Sequence, residues 1–137
     1  MANTELNAFL NPVLPEKKEV IISKRFLNEN GEPIPFVIRP ISQKESNALI
    51  RKYRKKDKKG HEYFDQTAYM SELVASAVVY PPLDNAELQK QYGLGREACL
   101  ANMLFTGEYG LLADEIMALS GMEEEDLNNV IDDVKNA

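Results

Sequence analysis

"VVYPPLDNAELQKQYG", residues 78–93, decides how this chain can fold. Just upstream, from Thr67 onward, Met70, Leu73, Val74, Ala77 and Val78 form a helical stripe, while Ala75, Val79 and Tyr80 make the other sides apolar too. A helix apolar nearly all round belongs at the centre of a domain. Pro81 disfavours the helical region for Tyr80, and Pro82 does the same for Pro81, so a helix over 67–80 must stop there and the chain must turn. Downstream, Asp84 or Asn85 can cap a new helix and Gly93 can end it. The corner lets the chain leave a buried helix abruptly and begin a short peripheral one.

Working outward toward the N-terminus, Ser42 and Glu45 in "SQKE" form a capping box that starts an earlier helix. Its apolar residues Leu49, Ile50 and Tyr53 are few, and it is expected to end near Lys56, in the lysine-rich run. The loop through "DKKGHEYF" then leads to Asp65 or Thr67 as the next N-cap. Before Ser42 the pattern is extended. The run Glu19 to Phe26 contains "VII", the Asn30-Gly31 pair suits a turn with positive φ, and Ile34, Phe36 and Ile38 alternate with Pro35, Val37 and Arg39. Prolines 33, 35 and 40 lack an amide donor, which predicts an edge position for this second strand. A two-stranded hairpin is marginal in water and needs helices on its apolar face.

Toward the C-terminus, Leu100, Met103 and Leu104 share one helical face, and Tyr109, Leu112, Ile116 and Leu119 form the next, closed by Gly121. Leu127, Val130, Ile131 and Val134 recur at helical offsets, with four acids at 123–126 in a first turn, where they complement the helix dipole. The reading is α+β: an N-terminal β-hairpin over 19–41 packed on a mostly α-helical domain over 42–137, with about five to six helices. Residues 16–137 are expected to form one domain behind a flexible arm over 1–15, in which Leu6, Phe9 and Leu10 share one side of a helical turn.

With 137 residues, 44% hydrophobic and 28% charged, the chain is too apolar for a disordered protein and too polar for a membrane protein. Its most apolar stretch is far shorter than the roughly 18 residues of a span, and "MANTELNAFLNP" does not read as a secretory signal. One cysteine, Cys99, and one histidine, His61, leave too few soft ligands for a Cys/His zinc site. Cys99 reads as a small buried hydrophobe and His61 as a solvated loop residue, because no convergent nucleophile and orienting group accompany them. "EEED" at 123–126 lacks the alternating ligands and glycine of a calcium loop, and "GLGRE" at 93–97 lacks the Lys-Ser/Thr of a phosphate loop. No catalytic, cofactor or metal residue is therefore assigned.

The net charge of −6 is unevenly spread. "RKYRKKDKK", residues 51–59, holds seven bases and one acid, whereas "MEEEDLNNVIDD", residues 122–133, holds six acids and no base. Three readings of the basic run stand side by side: a solvated face, pairing with an acidic protein surface, or contact with a nucleic-acid backbone. The acidic domain as a whole argues against nucleic acid. The bipolar charge points to charge-guided association, including with copies of the same chain.

"ASAVVYPPLDNAELQKQYG" at 75–93, followed by "LANMLFTGEYGLLADEIMALSGM" at 100–122, resembles the tail assembly chaperones of Gram-positive phages and defective prophages, the PBSX-type group. The resemblance extends to "AFLNP" at 8–12 and to the strand pair ending in "IRPIS" at 38–42, so it spans most of the chain. It implies a non-enzymatic chaperone in the bacterial host cytoplasm that binds the tape-measure protein and keeps it soluble during tail-tube assembly. It also implies a possible partner in a longer, frameshifted form of the same protein, and a homo-oligomer is expected. For partner binding the candidate residues are Leu6, Phe9 and Leu10 of the arm and Arg51, Lys52, Lys55 and Lys56 of the basic run. The alternative is a small nucleic-acid-associated regulatory protein that uses 51–59.

Overall fold

The structure is a computed structural model that describes residues 4–13 and 17–122. In chain order its elements are α1 (Thr4–Leu10), β1 (Lys18–Val20), β2 (Phe36–Ile38), α2 (Gln43–Lys52), β3 (Arg54–Lys56), β4 (Glu62–Phe64), α3 (Gln66–Ala77), β5 (Val78–Tyr80), α4 (Ala86–Tyr92), α5 (Arg96–Met103) and α6 (Thr106–Leu119). This is an α+β fold dominated by helices. The helix read over 127–134 and its acidic first turn lie outside the described residues.

Helix α3 is the central one, as its apolar circumference requires. Leu73, Val74, Ala75 and Ala77 are buried against Cys99, Leu100 and Met103 of α5 and Leu112 and Ile116 of α6. On its other side the sheet contributes Val20, Phe36, Ile38 and Val78. Each buried aliphatic side chain of this kind contributes about 1.5–3 kcal/mol.

The sheet corrects two expectations. Its strands run antiparallel in the order β1-β2-β5, so β2 lies in the middle and not at an edge. Prolines 33, 35 and 40 all fall outside Phe36–Ile38, and the paired segment therefore keeps its donors. The third strand is Val78–Tyr80, which reads in sequence as the end of a helix over 67–80. Pro81 pushes Tyr80 into the extended region, and the β-branched Val78 and Val79 follow it onto β2, with Ile38 opposite Val78 and Val37 opposite Tyr80. The first strand is shorter than the stretch from Glu19 to Phe26. Beyond Val20 the chain is irregular, with Ile22 and Ser23 buried and Phe26 packed on Phe36 at 6.2 Å between ring centroids. Between the strands, only Gly31 has positive φ, at 77°; Asn30 does not, because the Asn28 side chain shapes the turn by accepting from the amides of Asn30 and Glu32.

Helix α2 opens with the capping box read from the sequence: Ser42 Oγ accepts from the Glu45 amide at 3.2 Å, and Glu45 accepts from the Ser42 amide at 3.1 Å. It ends at Lys52 and not near Lys56. Continuing it would stack Arg51 on Lys55 and Lys52 on Lys56, four residues apart and alike in charge. The chain instead turns at Tyr53 and forms a second hairpin, β3–β4, where a loop was expected. Asp65 caps α3, and Asn85 caps α4. Gly93 ends α4 at φ 150° where a Cβ would lie 3.0 Å from Asn102 Nδ2 and 3.3 Å from the Ala98 Cβ, so glycine lets α4 close onto α5 without crowding.

Candidate functional site

The sequence singles out two surfaces, and the structure builds them differently. In α1, Leu6, Phe9 and Leu10 are 53%, 83% and 65% exposed, and Val13 just beyond is exposed as well. Three large apolar side chains on a helix of seven residues thus face solvent, with a fourth just past its end. So short a helix is marginal alone in water, and its exposed apolar face makes it a candidate for interaction.

The basic run is divided between the end of α2 and the β3–β4 hairpin. Tyr53 anchors the junction: its hydroxyl donates to Glu72 of α3 at 2.6 Å, and the Lys52 ammonium pairs with the same carboxylate. Hydrogen bonds from Lys52 and Tyr53 hold the Glu72 carboxyl below its ordinary range despite the opposing effect of burial. Lys55 reaches Asp65 at 3.7 Å, and both Lys52 and Lys55 lie over the Tyr53 ring. Arg51 and Lys56 are exposed, and among the described residues neither has a carboxylate within 4.0 Å. Two of the four basic candidates therefore secure the hairpin to α3, whereas the other two are presented outward.

The residues weighed for chemistry fall apart in space. Cys99 is fully buried on α5, and burial pushes its thiol pKa up. His61 sits exposed at the hairpin turn, with Nδ1 3.4 Å from Asp57. Gly93 and Gly95 serve as a helix stop and restart.

Two concave features were missed by the sequence reading. An open cleft of about 570 Å³ lies among Met70, Ser71, Ala101, Leu104, Thr106 and Tyr109, where α3, α5 and α6 converge. A smaller slot of about 130 Å³ lies beside the cis Tyr80–Pro81 peptide, walled by Phe26, Phe36, Tyr80, Leu88 and Tyr92. The aromatic and proline content around the 80–81 corner was the one available signal for the slot.

Comparison with known proteins matches this architecture to one family. Residues 6–135 match the model of the family described as "Phage XkdN-like tail assembly chaperone protein, TAC". The chain is 25% identical over 127 residues to the phage-like element PBSX protein XkdN of Bacillus subtilis (strain 168), covering 88% of this chain and 85% of that one. It is 24% identical, with the same coverage, to the uncharacterized protein YqbN of the same organism. The crystal structure of YqbN superposes with a TM-score of 0.70 over 83% of this chain and 94% of that one, at 23% identity, which establishes the shared fold. With the family model matching residues 6–135, from within α1 through both hairpins to the end of α6, the chain belongs to the XkdN-like phage tail assembly chaperones.

Proposed function

We propose that this chain binds the tape-measure protein of its phage or prophage and keeps it soluble in the host cytoplasm while tail-tube subunits assemble around it. The observation that carries this reading is the family match over residues 6–135. The exposed apolar face of α1 supports it, because a chaperone for a long, aggregation-prone client needs apolar contact area and no reaction centre. In this reading the chain acts without catalysis. Residues 16–137 form the body and residues 1–15 an arm whose Leu6, Phe9 and Leu10 contact the client. A longer form of the same chain, where one is made, joins the complex.

The test is co-expression with the tape-measure protein of the same phage or prophage. A soluble complex of defined mass by light scattering is the expected result. If the client stays insoluble whether or not this chain is present, and the chain elutes alone, the tape-measure reading fails.

A further inference from the structure

We infer that the β3–β4 hairpin is the docking surface for the acidic segment 123–133 of a second copy of this chain, so that copies associate head to tail. The hairpin is exposed along both strands. Lys52 and Lys55 are committed to Glu72 and Asp65, but among the described residues Arg51, Arg54, Lys56, Lys58 and Lys59 have no carboxylate within 4.0 Å. The hairpin's own Asp57 is occupied by the turn, accepting from the amides of Lys59 and His61 at 2.9 Å each. Beside these cations Tyr63 and Phe64 are 49% and 42% exposed. Such a surface suits a partner that is acidic and apolar together.

The sequence contains one segment of that composition. Residues 123–134 carry six acids, and Leu127, Val130, Ile131 and Val134 follow at helical offsets. A polyanion such as nucleic acid meets a chain whose net charge is −6, whereas the chain's own acids complement the hairpin locally.

Geometry favours a second copy over the same one. The Ile41 amide donates to Ser120 Oγ at 2.9 Å, which fixes the end of α6 beside the start of α2. The amides of Gly121 and Met122 bond back to Ala118 and Met117, holding Met122 on that last turn. The hairpin follows the opposite end of α2, ten residues on, or about 15 Å away. The clustered acids 123–126 follow Met122 by one to four residues, a backbone reach of about 3–14 Å. The acidic segment thus begins at one end of α2 and the basic hairpin begins at the other. Poles so placed pair between copies, and a head-to-tail contact of this type builds a ring or an open chain.

The test needs no client, so its outcome is separate from that of the tape-measure reading. Sedimentation velocity of the full chain compares about 0.01 M with about 1 M NaCl. It is repeated for a hairpin variant, Lys56→Glu with Lys58→Glu and Lys59→Glu, for a tail variant, Glu123→Lys with Glu124→Lys and Glu125→Lys, and for their equimolar mixture. The wild type is expected to exceed single-chain mass at low salt and to approach it at high salt. Each variant alone weakens association about tenfold or more, and the mixture restores it, because the reversed hairpin of one chain meets the reversed tail of the other. Carbodiimide cross-linking of a mixture of isotopically light and heavy wild-type chains provides a second measurement that does not depend on any variant, with 56–59 joined to 123–126 between copies. A wild type that stays single-chain at low salt, variants that keep wild-type mass, a mixture that does not reassociate, or cross-links confined within one copy would each overturn the inference. So would a hairpin that binds a DNA duplex while self-association ignores the reversal.

Discussion

Glu108 accepts from the Phe105 amide at 2.8 Å and from Nε and Nη2 of Arg25, and Nη2 also donates to the Met103 carbonyl at 3.0 Å. The guanidinium lies over the rings of Phe26 and Phe105, so one carboxylate joins the start of α6, the end of α5 and the segment after β1. The Arg25 hydrogen bonds pull the Glu108 carboxyl from 4.5 down to about 2. Its pKa is depressed in the folded state, so the unfolded chain binds the proton more readily, and stability must rise with pH across that interval. The Glu108 contribution is fully present above about 4.5 and is lost as the pH falls toward about 2. Thermal melts between pH 2 and 7 are therefore expected to show a steep acid limb for the wild type. In Glu108→Gln the neutral melting temperature falls and the acid limb flattens. A limb of unchanged slope in the variant would remove Glu108 from the account of acid stability.

Between elements, the closest constraint is where α4 meets α5. Asn102 Nδ2 donates to the Tyr92 carbonyl at 2.6 Å, and a Cβ on Gly93 would crowd that nitrogen at 3.0 Å and the Ala98 Cβ at 3.3 Å. Gly93→Ala is expected to destabilise by about 1–3 kcal/mol, combining overpacking with an unfavourable φ. Gly31→Ala meets no neighbouring atom within 4 Å, and its cost arises from its φ of 77° alone. Urea unfolding of the two variants checks the order, and a Gly93→Ala loss no larger than that of Gly31→Ala would contradict it. The elements that could be read from sequence are those whose signals are local: the Ser42–Glu45 box, the Asp65 and Asn85 caps, the Gly93 stop and the apolar circumference of α3. Those that could not depend on distant partners. Val78–Tyr80 has both helical periodicity and β-branched residues, and pairing with β2, about 40 residues earlier, resolves the ambiguity. Arg54–Lys56 has little strand propensity of its own, and it is held by pairing with Glu62–Phe64, by Lys55 against Asp65 and by the preceding Lys52 and Tyr53 on Glu72 of α3. The same division applies to the candidate surfaces. The apolar side of α1 follows from the spacing of Leu6, Phe9 and Leu10, whereas the cleft among Met70, Ala101 and Tyr109 draws its walls from three helices and has no contiguous signature.

At the scale of the whole molecule, the core and α1 differ in what they bury. Among the described residues the buried core runs from Val20 to Ile116, and α1 contributes none of it. The arm's apolar side chains face water, so they can contribute to binding without contributing much to stability. Exposed substitutions away from special features change stability by within about 0.5 kcal/mol, which moves the melting temperature of a domain this size by roughly 1–4 °C. Phe9→Asp combined with Leu10→Asp, or deletion of residues 1–12, is therefore expected to leave the melt of the isolated chain within that range. The same variants are expected to reduce by several-fold the tape-measure protein recovered in soluble form on co-expression. The two readouts separate the possibilities. If the melting temperature falls well beyond that range, α1 packs on the rest of the fold in solution and contributes to its stability. If both stability and client recovery stay at wild-type level, the client contacts another surface, and the cleft between α3, α5 and α6 becomes the next to be substituted, beginning with Met70→Asp.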